Sequence, residues 1–178
     1  MPDQHPETTA ITAGRDYGGK ALAPPIWASS TFEVDSVDDG LRLATTPKAA
    51  AFYSRYGNPT VNAFEDAVAA LEGAEAAQAF GSGMGAVATT VLALCSTGDH
   101  LVAQRQLFSS TALLFQVVCP RFGIEVTLVD AEDTQGFVDA VQPGRTRLIF
   151  VETPANPVMQ LVDLEAVASI AGPFTVCD

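Results

Sequence analysis

The sequence has 178 residues, 48% of them hydrophobic, which suits one globular domain or a large part of one and excludes a disordered or fibrous chain. Its 21 acidic against 9 basic residues give a formal net charge of −12, which argues against nucleic-acid and anionic-membrane partners. The first residues have neither the basic region nor the apolar core of a signal peptide, so a cytoplasmic protein is expected. The longest apolar run, residues 86–95, is too short to span a bilayer.

The cysteines and histidines predict no metal site. Cys95, Cys119 and Cys177 are widely spaced in apolar surroundings, which favours buried free thiols over disulfides, ligands or nucleophiles. His5 and His100 are not paired with cysteines or carboxylates at metal-ligand spacing.

Residues 1–51 show little periodicity and are interrupted by glycines and prolines, which predicts an extended arm with one short helix near Val37 to Ala44. Apolar residues on an irregular segment cannot form a core alone. The arm could fold back on its own domain, but packing on a neighbouring subunit is at least as favoured. Residues 52–178 are then predicted to be the N-terminal part of an α/β domain that is incomplete at its C-terminus.

From residue 58 onwards the pattern becomes regular. Asn58 as N-cap, Pro59 at the first helical position and Gly73 after the last turn predict a helix between them. The following strands are predicted at residues 76–80, 100–103, 125–129, 148–152 and 174–178, and the helices at 85–95, 108–119, 134–141 and 164–171. Alternating strands and helices predict a mostly parallel sheet with helices on both faces.

A glycine-rich stretch, Phe80-Gly81-Ser82-Gly83-Met84-Gly85, joins the first predicted strand to the next helix. Its backbone could approach a ligand closely, and N–H groups at a helix start bind anions, so it predicts a phosphate site. Ser82 adds a hydroxyl donor, and Arg55 is a candidate cation. A tight strand-to-helix turn without a ligand is an equally good interpretation of the glycines alone.

Polar side chains follow other predicted strands, where ligands of parallel sheets bind. They are Glu152, Asn156 and Asp178, with Phe108 at the start of a helix in the same layer. Individually, the aromatic residue could be core and the aspartate a cap. Together with a phosphate site they suit an aromatic heterocycle that carries a phosphate and a basic ring nitrogen. Glu152 is interpreted as structural, bonding nearby backbone.

Several motifs in the same order closely resemble the cysteine/methionine-metabolism family of pyridoxal-phosphate (PLP) enzymes. They are Tyr53-Ser54-Arg55, Asn58-Pro59-Thr60, Leu71-Glu72-Gly73, Ser82-Gly83-Met84, Gly98-Asp99-His100, Glu152-Thr153-Pro154-Ala155-Asn156-Pro157 and Asp178. The resemblance runs from about Gly14 to the last residue. It implies the aspartate-aminotransferase-like fold, PLP fold type I, and pyridoxal 5'-phosphate as cofactor.

The resemblance also implies roles for single residues. Gly83 and Met84, with Ser82 beside them, match the donors to the cofactor phosphate. Tyr53 and Arg55 match residues that reach that phosphate from the neighbouring subunit of a homodimer or homotetramer.

Three further residues match contacts with the cofactor ring. Asp178 matches the carboxylate that keeps the ring nitrogen protonated, and Asn156 matches the amide near the ring hydroxyl. Phe108 stands where the family usually has tyrosine; it can stack on the ring but cannot pass a proton to a leaving group. Some O-succinylhomoserine sulfhydrylase-like members are similar here and in residues 121–126.

The implied activity is elimination or replacement at Cβ or Cγ of a sulfur amino acid or an O-acylhomoserine, in transsulfuration and methionine metabolism. O-succinylhomoserine sulfhydrylase or cystathionine γ-synthase is the best subclass, with methionine or cystathionine γ-lyase as alternatives. No residue of this segment matches the Schiff-base lysine, which the family places after the position of Asp178. Lys20 and Lys48, the two lysines here, are interpreted as solvated surface residues.

Two other hypotheses remain. The segment alone is expected to be inactive, and it could be a non-catalytic partner subunit or a fragment. An NAD-binding domain is a weaker alternative, because Ala86 occupies the position where the G-x-G-x-x-G pattern needs its last glycine.

Overall fold

The computed structural model describes residues 5–46, 48–49 and 51–178. The chain divides into two compact units, Met1–Ala79 and Phe80–Asp178. The predicted arm, residues 1–51, belongs to the first unit, and its residues 1–4, 47 and 50 lie outside the described part. The arm's boundary and its packing on a neighbouring subunit stay predictions.

The first unit contains three α-helices and one 3₁₀ turn in its described residues: α1 (Pro6–Thr12), the 3₁₀ turn (Arg15–Gly18), α2 (Val37–Ala44) and α3 (Pro59–Glu72). The predicted short helix α2 is confirmed with the predicted bounds. Helix α1 was not predicted, because none of its residues is buried and it carries no apolar stripe. Its sequence signals are Pro6 at the first position and Glu7 in the first turn, both typical of helix starts.

Helix α3 begins and ends at the predicted signals. The Asn58 side-chain oxygen accepts the Thr60 N–H at 2.9 Å, and Pro59 follows at the first position, where a missing N–H costs nothing. Gly73 ends the helix in the left-handed conformation, with φ of 63°.

The strand predicted at residues 76–80 is wrong, since residues 74–80 form none. The buried Glu65 carboxylate accepts the Ala79 N–H at 2.7 Å and the Gln78 side-chain amide at 2.8 Å. The Ala77 carbonyl accepts from Lys48. Side chains of the same unit therefore satisfy backbone groups that a strand would offer to a neighbour.

The second unit is an α/β layer structure. Its strands are β1 (His100–Gln104), β2 (Glu125–Val129), β3 (Thr146–Val151) and β4 (Phe174–Cys177), and its helices are α4 (Gly83–Leu94), α5 (Ser109–Leu113), α6 (Cys119–Arg121), α7 (Thr134–Ala140) and α8 (Leu164–Ala168). All strands pair in parallel in the order β2-β1-β3-β4. The predicted fold class, α/β with a mostly parallel sheet, is confirmed.

Helices cover both faces of the sheet because successive strand side chains point to opposite sides. Leu101 and Phe150 pack on one face with Phe115, whose ring lies 5.0 Å from that of Phe150 in an edge arrangement. Val102 and Ile149 point to the other face and join a cluster with Phe137 of α7. Each face is therefore a separate apolar layer.

The helix predicted at residues 108–119 is present but not uniform. A π-helical turn, Leu114–Val118, joins α5 to α6. Pro120 in α6 has no N–H to donate and its ring would clash with the carbonyl four residues earlier, which a wider turn relieves. A helical pattern alone does not reveal this.

The cysteine prediction is partly wrong. Cys95 and Cys119 are buried free thiols as predicted, and burial raises the pKa of the Cys95 thiol to about 11. Cys177 is exposed, on a strand that pairs only with β3 in the described chain. Across residues 5–46, 48–49 and 51–178 no helix has the length and apolarity needed to cross a membrane.

Candidate functional site

The carboxyl ends of the parallel strands share one edge of the sheet, and the candidate site lies there. Phe108 follows β1, Glu152 and Asn156 follow β3, and Asp178 follows β4. These four residues and Pro154 line one cavity of about 420 Å³. The structure thus brings together three of the predicted ring-binding residues in one space, whose volume is in the range of small-ligand pockets.

Asp178 is held by the backbone pairing of β3 with β4. Its N–H donates to the Val151 carbonyl at 2.9 Å, and its carbonyl accepts from the Thr153 N–H at 3.3 Å. Its side chain is exposed and reaches the cavity. A carboxylate in this position can accept a hydrogen bond from a cationic ring nitrogen.

Glu152 is buried, with 6% of its surface exposed. One carboxylate oxygen accepts the Phe108 N–H at 2.8 Å and the other accepts the Asn156 N–H at 2.7 Å. The predicted structural role, bonding nearby backbone, is confirmed.

The glycine-rich stretch forms the start of α4, two residues earlier than predicted. The Ser82 hydroxyl caps this helix by accepting the Gly85 N–H at 3.0 Å. Gly83 and Met84 therefore lie in the first turn, where N–H groups have no partner within the helix and can bind an anion. Space around the Cα atoms of Gly81 and Gly83 is open, so a ligand can approach the backbone. The alternative interpretation, a strand-to-helix turn without a ligand, does not describe this stretch, since residues 76–80 form no strand.

Met84 connects this helix start to the helix behind Phe108. The hydroxyl of Thr111, a fully buried residue of α5, donates to the Met84 sulfur at 3.6 Å. The N-terminus of α4 therefore lies against the helix that begins one residue after Phe108.

Tyr53 and Arg55 lie together in the first unit. The Arg55 guanidinium stacks on two aromatic rings, 4.8 Å from the Tyr53 centroid and 5.7 Å from that of Tyr56. Tyr53 is placed by an antiparallel bridge to Thr31. Arg55 is exposed, so this aromatic platform presents its charge to solvent.

The comparisons with known proteins give the family. The family model for Cys/Met metabolism PLP-dependent enzymes matches residues 7–176. The chain belongs to this family. Its cofactor is therefore pyridoxal phosphate, as predicted from the motifs.

The similar proteins divide between activities. The chain is 42% identical over 167 residues to an L-methionine gamma-lyase of Fusobacterium nucleatum subsp. nucleatum, covering 92% of this chain and 42% of that protein. It is 50% identical over 119 residues to an O-succinylhomoserine sulfhydrylase of Pseudomonas aeruginosa, covering 67% of this chain and 29% of that protein. The crystal structure of metB from Corynebacterium glutamicum superposes with a TM-score of 0.85 at 34% identity, covering 98% of this chain and 44% of that one. The chain thus spans less than half the length of these relatives.

The residues of this family member fit pyridoxal phosphate chemically. The start of α4 offers backbone N–H groups and a hydroxyl to a phosphate. The cavity offers an aromatic face, an amide and a carboxylate, from Phe108, Asn156 and Asp178.

The sequence did not lead to the prediction of Gln104, which lies beside Glu152 at the candidate site. It is fully buried at the end of β1, and its side-chain oxygen accepts the Glu152 N–H at 3.0 Å. A polar residue at the end of an otherwise apolar strand was the available signal.

Proposed function

We propose that the complete protein containing this chain uses pyridoxal phosphate to eliminate or replace the γ-substituent of an O-acylhomoserine. An O-acylhomoserine substrate favours the activity of an O-succinylhomoserine sulfhydrylase or a cystathionine γ-synthase. The observation that carries the choice is Phe108, a side chain without a proton to donate, at the cofactor cavity.

In this proposal each residue has one task. The N–H groups of Gly83 and Met84 and the Ser82 hydroxyl bind the phosphate, and the Phe108 ring stacks on the pyridine ring. Asn156 contacts the ring hydroxyl. The bound cofactor supplies an electron sink for a carbanion formed next to the amino group. Asp178 holds a proton on the ring nitrogen, because a nearby carboxylate raises the pKa of a cationic acid.

The leaving group decides between the subclasses. A carboxylic acid has a pKa of about 4, whereas a thiol has one of about 8.5, so a carboxylate departs without a proton and a thiolate benefits from one. Phe108, which lines the cavity where the family usually has tyrosine, has no proton to give to a departing thiolate. This replacement suits an acyl ester better than a thioether.

The test is the Phe108→Tyr variant of the complete protein, assayed with O-succinylhomoserine plus sulfide, with cystathionine and with methionine. The wild type should prefer the ester. The added phenol should raise kcat/KM for the two thioethers by about 100-fold, the scale of general acid catalysis, and leave the ester reaction nearly unchanged. Phe122→Tyr, at an exposed position outside the cavity, is the control. A wild type that cleaves methionine as fast as the ester contradicts the proposal.

Methionine γ-lyase or cystathionine γ-lyase is the second candidate. The supporting observation is that the similarity to a methionine gamma-lyase extends over 92% of this chain. The same assay discriminates, since a γ-lyase releases a thiol from methionine or cystathionine without needing added sulfide.

We also infer that the 178-residue segment alone does not catalyse the reaction. Lys48 is exposed as predicted, and its ammonium also lies 2.9 Å from the buried Glu65 carboxylate and donates to the Ala77 carbonyl. It is therefore engaged in structure, and Lys20 is exposed in the predicted arm. Pyridoxal phosphate added to this polypeptide should give no Schiff-base absorbance band at the violet edge of the visible spectrum. Co-purification with a lysine-bearing second polypeptide would instead support the alternative of a non-catalytic partner subunit.

The proposed assembly is a cytoplasmic homodimer or homotetramer in which Tyr53 and Arg55 reach the phosphate of the neighbouring subunit. The exposed guanidinium on its aromatic platform supports this, because it is available to an anion outside its own fold. No nucleic-acid or membrane partner is proposed.

A further inference from the structure

Glu152 occupies a distinctive place in the second unit. It follows β3 directly, is buried, and also lines the cavity. In the described part of the chain no basic side chain forms an ion pair with it. A buried carboxylate without a cation is costly unless hydrogen bonds replace its water, so its bonds carry the argument.

Those bonds connect two loops that hold cofactor-facing residues. The oxygen that accepts the Phe108 N–H fixes the start of the segment after β1, and the oxygen that accepts the Asn156 N–H fixes the loop after β3. Both donors are backbone groups of the residues assigned to the cofactor ring. One rigid carboxylate thus sets the distance between the stacking ring and the amide.

Gln104 completes the arrangement from the end of β1. It accepts the Glu152 N–H, and its amide donates to the Gln106 carbonyl at 2.6 Å. Glu152 is therefore bonded to β1 through its backbone N–H and to both loops through its carboxylate. Neither Glu152 nor Gln104 needs to touch the cofactor for this network to act.

We propose that Glu152 is the positioning residue of the site, whose two carboxylate oxygens hold Phe108 and Asn156 at the spacing that the cofactor ring requires. This inference rests on the proposed function, because Phe108 and Asn156 are its ring contacts. It adds a residue that acts through the protein backbone and not through the substrate.

The test compares Glu152→Gln with wild type in the complete protein. Glutamine keeps the size but has one acceptor oxygen, so its NH₂ group must face one of the two N–H donors. The variant should bind pyridoxal phosphate but show altered visible circular dichroism, which reports ring orientation. Its kcat should fall about 10- to 100-fold, as expected for misplaced reacting groups. Asp133→Asn is the matched control, since Asp133 also accepts a backbone N–H, that of Gly136 at 2.8 Å, but does not line the cavity.

The outcomes separate the two claims. Altered dichroism and lower kcat in Glu152→Gln, with both unchanged in Asp133→Asn, support the positioning role. A Glu152→Gln protein with wild-type dichroism and kcat overturns it while leaving the proposed function standing. A wild-type protein that does not bind pyridoxal phosphate overturns the proposed function itself.

Hydrogen exchange on the wild type covers the case in which Glu152→Gln does not fold. The Phe108 and Asn156 amides lie in loops, yet they should exchange about as slowly as amides inside β3, because a buried carboxylate holds them. Exchange at the rate of open loop amides would overturn the proposal without any variant.

Discussion

The buried residue His100 is expected to make the stability of this fold depend on pH. Its ring nitrogens lie 2.8 Å from the Thr146 hydroxyl and 2.9 Å from the Thr127 hydroxyl, at the edge of the sheet opposite the cavity. Burial lowers the pKa of His100 below its ordinary 6.5, with Glu125 acting to raise it and Arg145 to lower it. The unfolded chain therefore binds a proton more readily than the folded one.

Stability should then fall as pH drops below about 6.5, and the contribution of His100 should be complete above that value. In His100→Gln the slope of unfolding free energy against pH in this window should be smaller, by at most about 1.4 kcal/mol per pH unit. Denaturant titrations at several pH values measure it. The lowered pKa values of Asp99 and Glu125 affect stability only at more acidic pH, so they do not confuse the comparison. An identical slope in wild type and variant would refute the assignment.

For single residues, the sequence predicted the chemical role more reliably than the contact partner. A glutamate after an apolar strand was predicted to bond backbone, and Glu152 does so. Lys48 is exposed as predicted, but its ion pair with Glu65, 17 positions away, was not predicted, because the pairing depends on how the loop before α3 folds. Such contacts are set by tertiary structure and leave no local pattern.

In the proposed site, the start of α4 is the element that binds the phosphate. Ser82→Ala should remove the cap and cost about 1 kcal/mol of stability. It should also weaken pyridoxal phosphate binding by at least about 5-fold, because it removes a hydroxyl and loosens the N–H groups that face the phosphate.

Ser36→Ala provides a matched control for that element. Ser36 caps α2 in the same way, by accepting the Asp39 N–H at 3.1 Å. Its loss should cost similar stability without changing cofactor affinity. Titration of the complete protein with pyridoxal phosphate measures both affinities, and equal values for the two variants would count against a phosphate site at α4.

Elements with local signals were predictable and those with distant causes were not. The caps at Asn58 and Gly73 defined α3, and apolar runs defined β1 to β4 to within two residues. The expected strand at residues 76–80 failed because Glu65, more than ten residues away, binds its backbone. The π turn before Pro120 was not predicted for another reason: a helical sequence pattern does not show how the helix accommodates a proline.

At the scale of the whole molecule, strand alternation predicted the parallel sheet, and parallel pairing in turn predicted which edge of the sheet holds the candidate site. The order β2-β1-β3-β4 places β1, β3 and β4 side by side, so the residues that follow them meet in one cavity. The exposed Arg55 and the apolar residues of the predicted arm belong to the other unit, and we propose that they serve assembly.

The position of pyridoxal phosphate in crystals of the complete protein tests this account most directly. We predict the phosphate on the N–H groups of Gly83 and Met84, the pyridine ring on Phe108, and the Asp178 carboxylate at the ring nitrogen, with Arg55 of a second subunit at the phosphate. Density for the cofactor anywhere other than between the start of α4 and Asp178 would contradict the account.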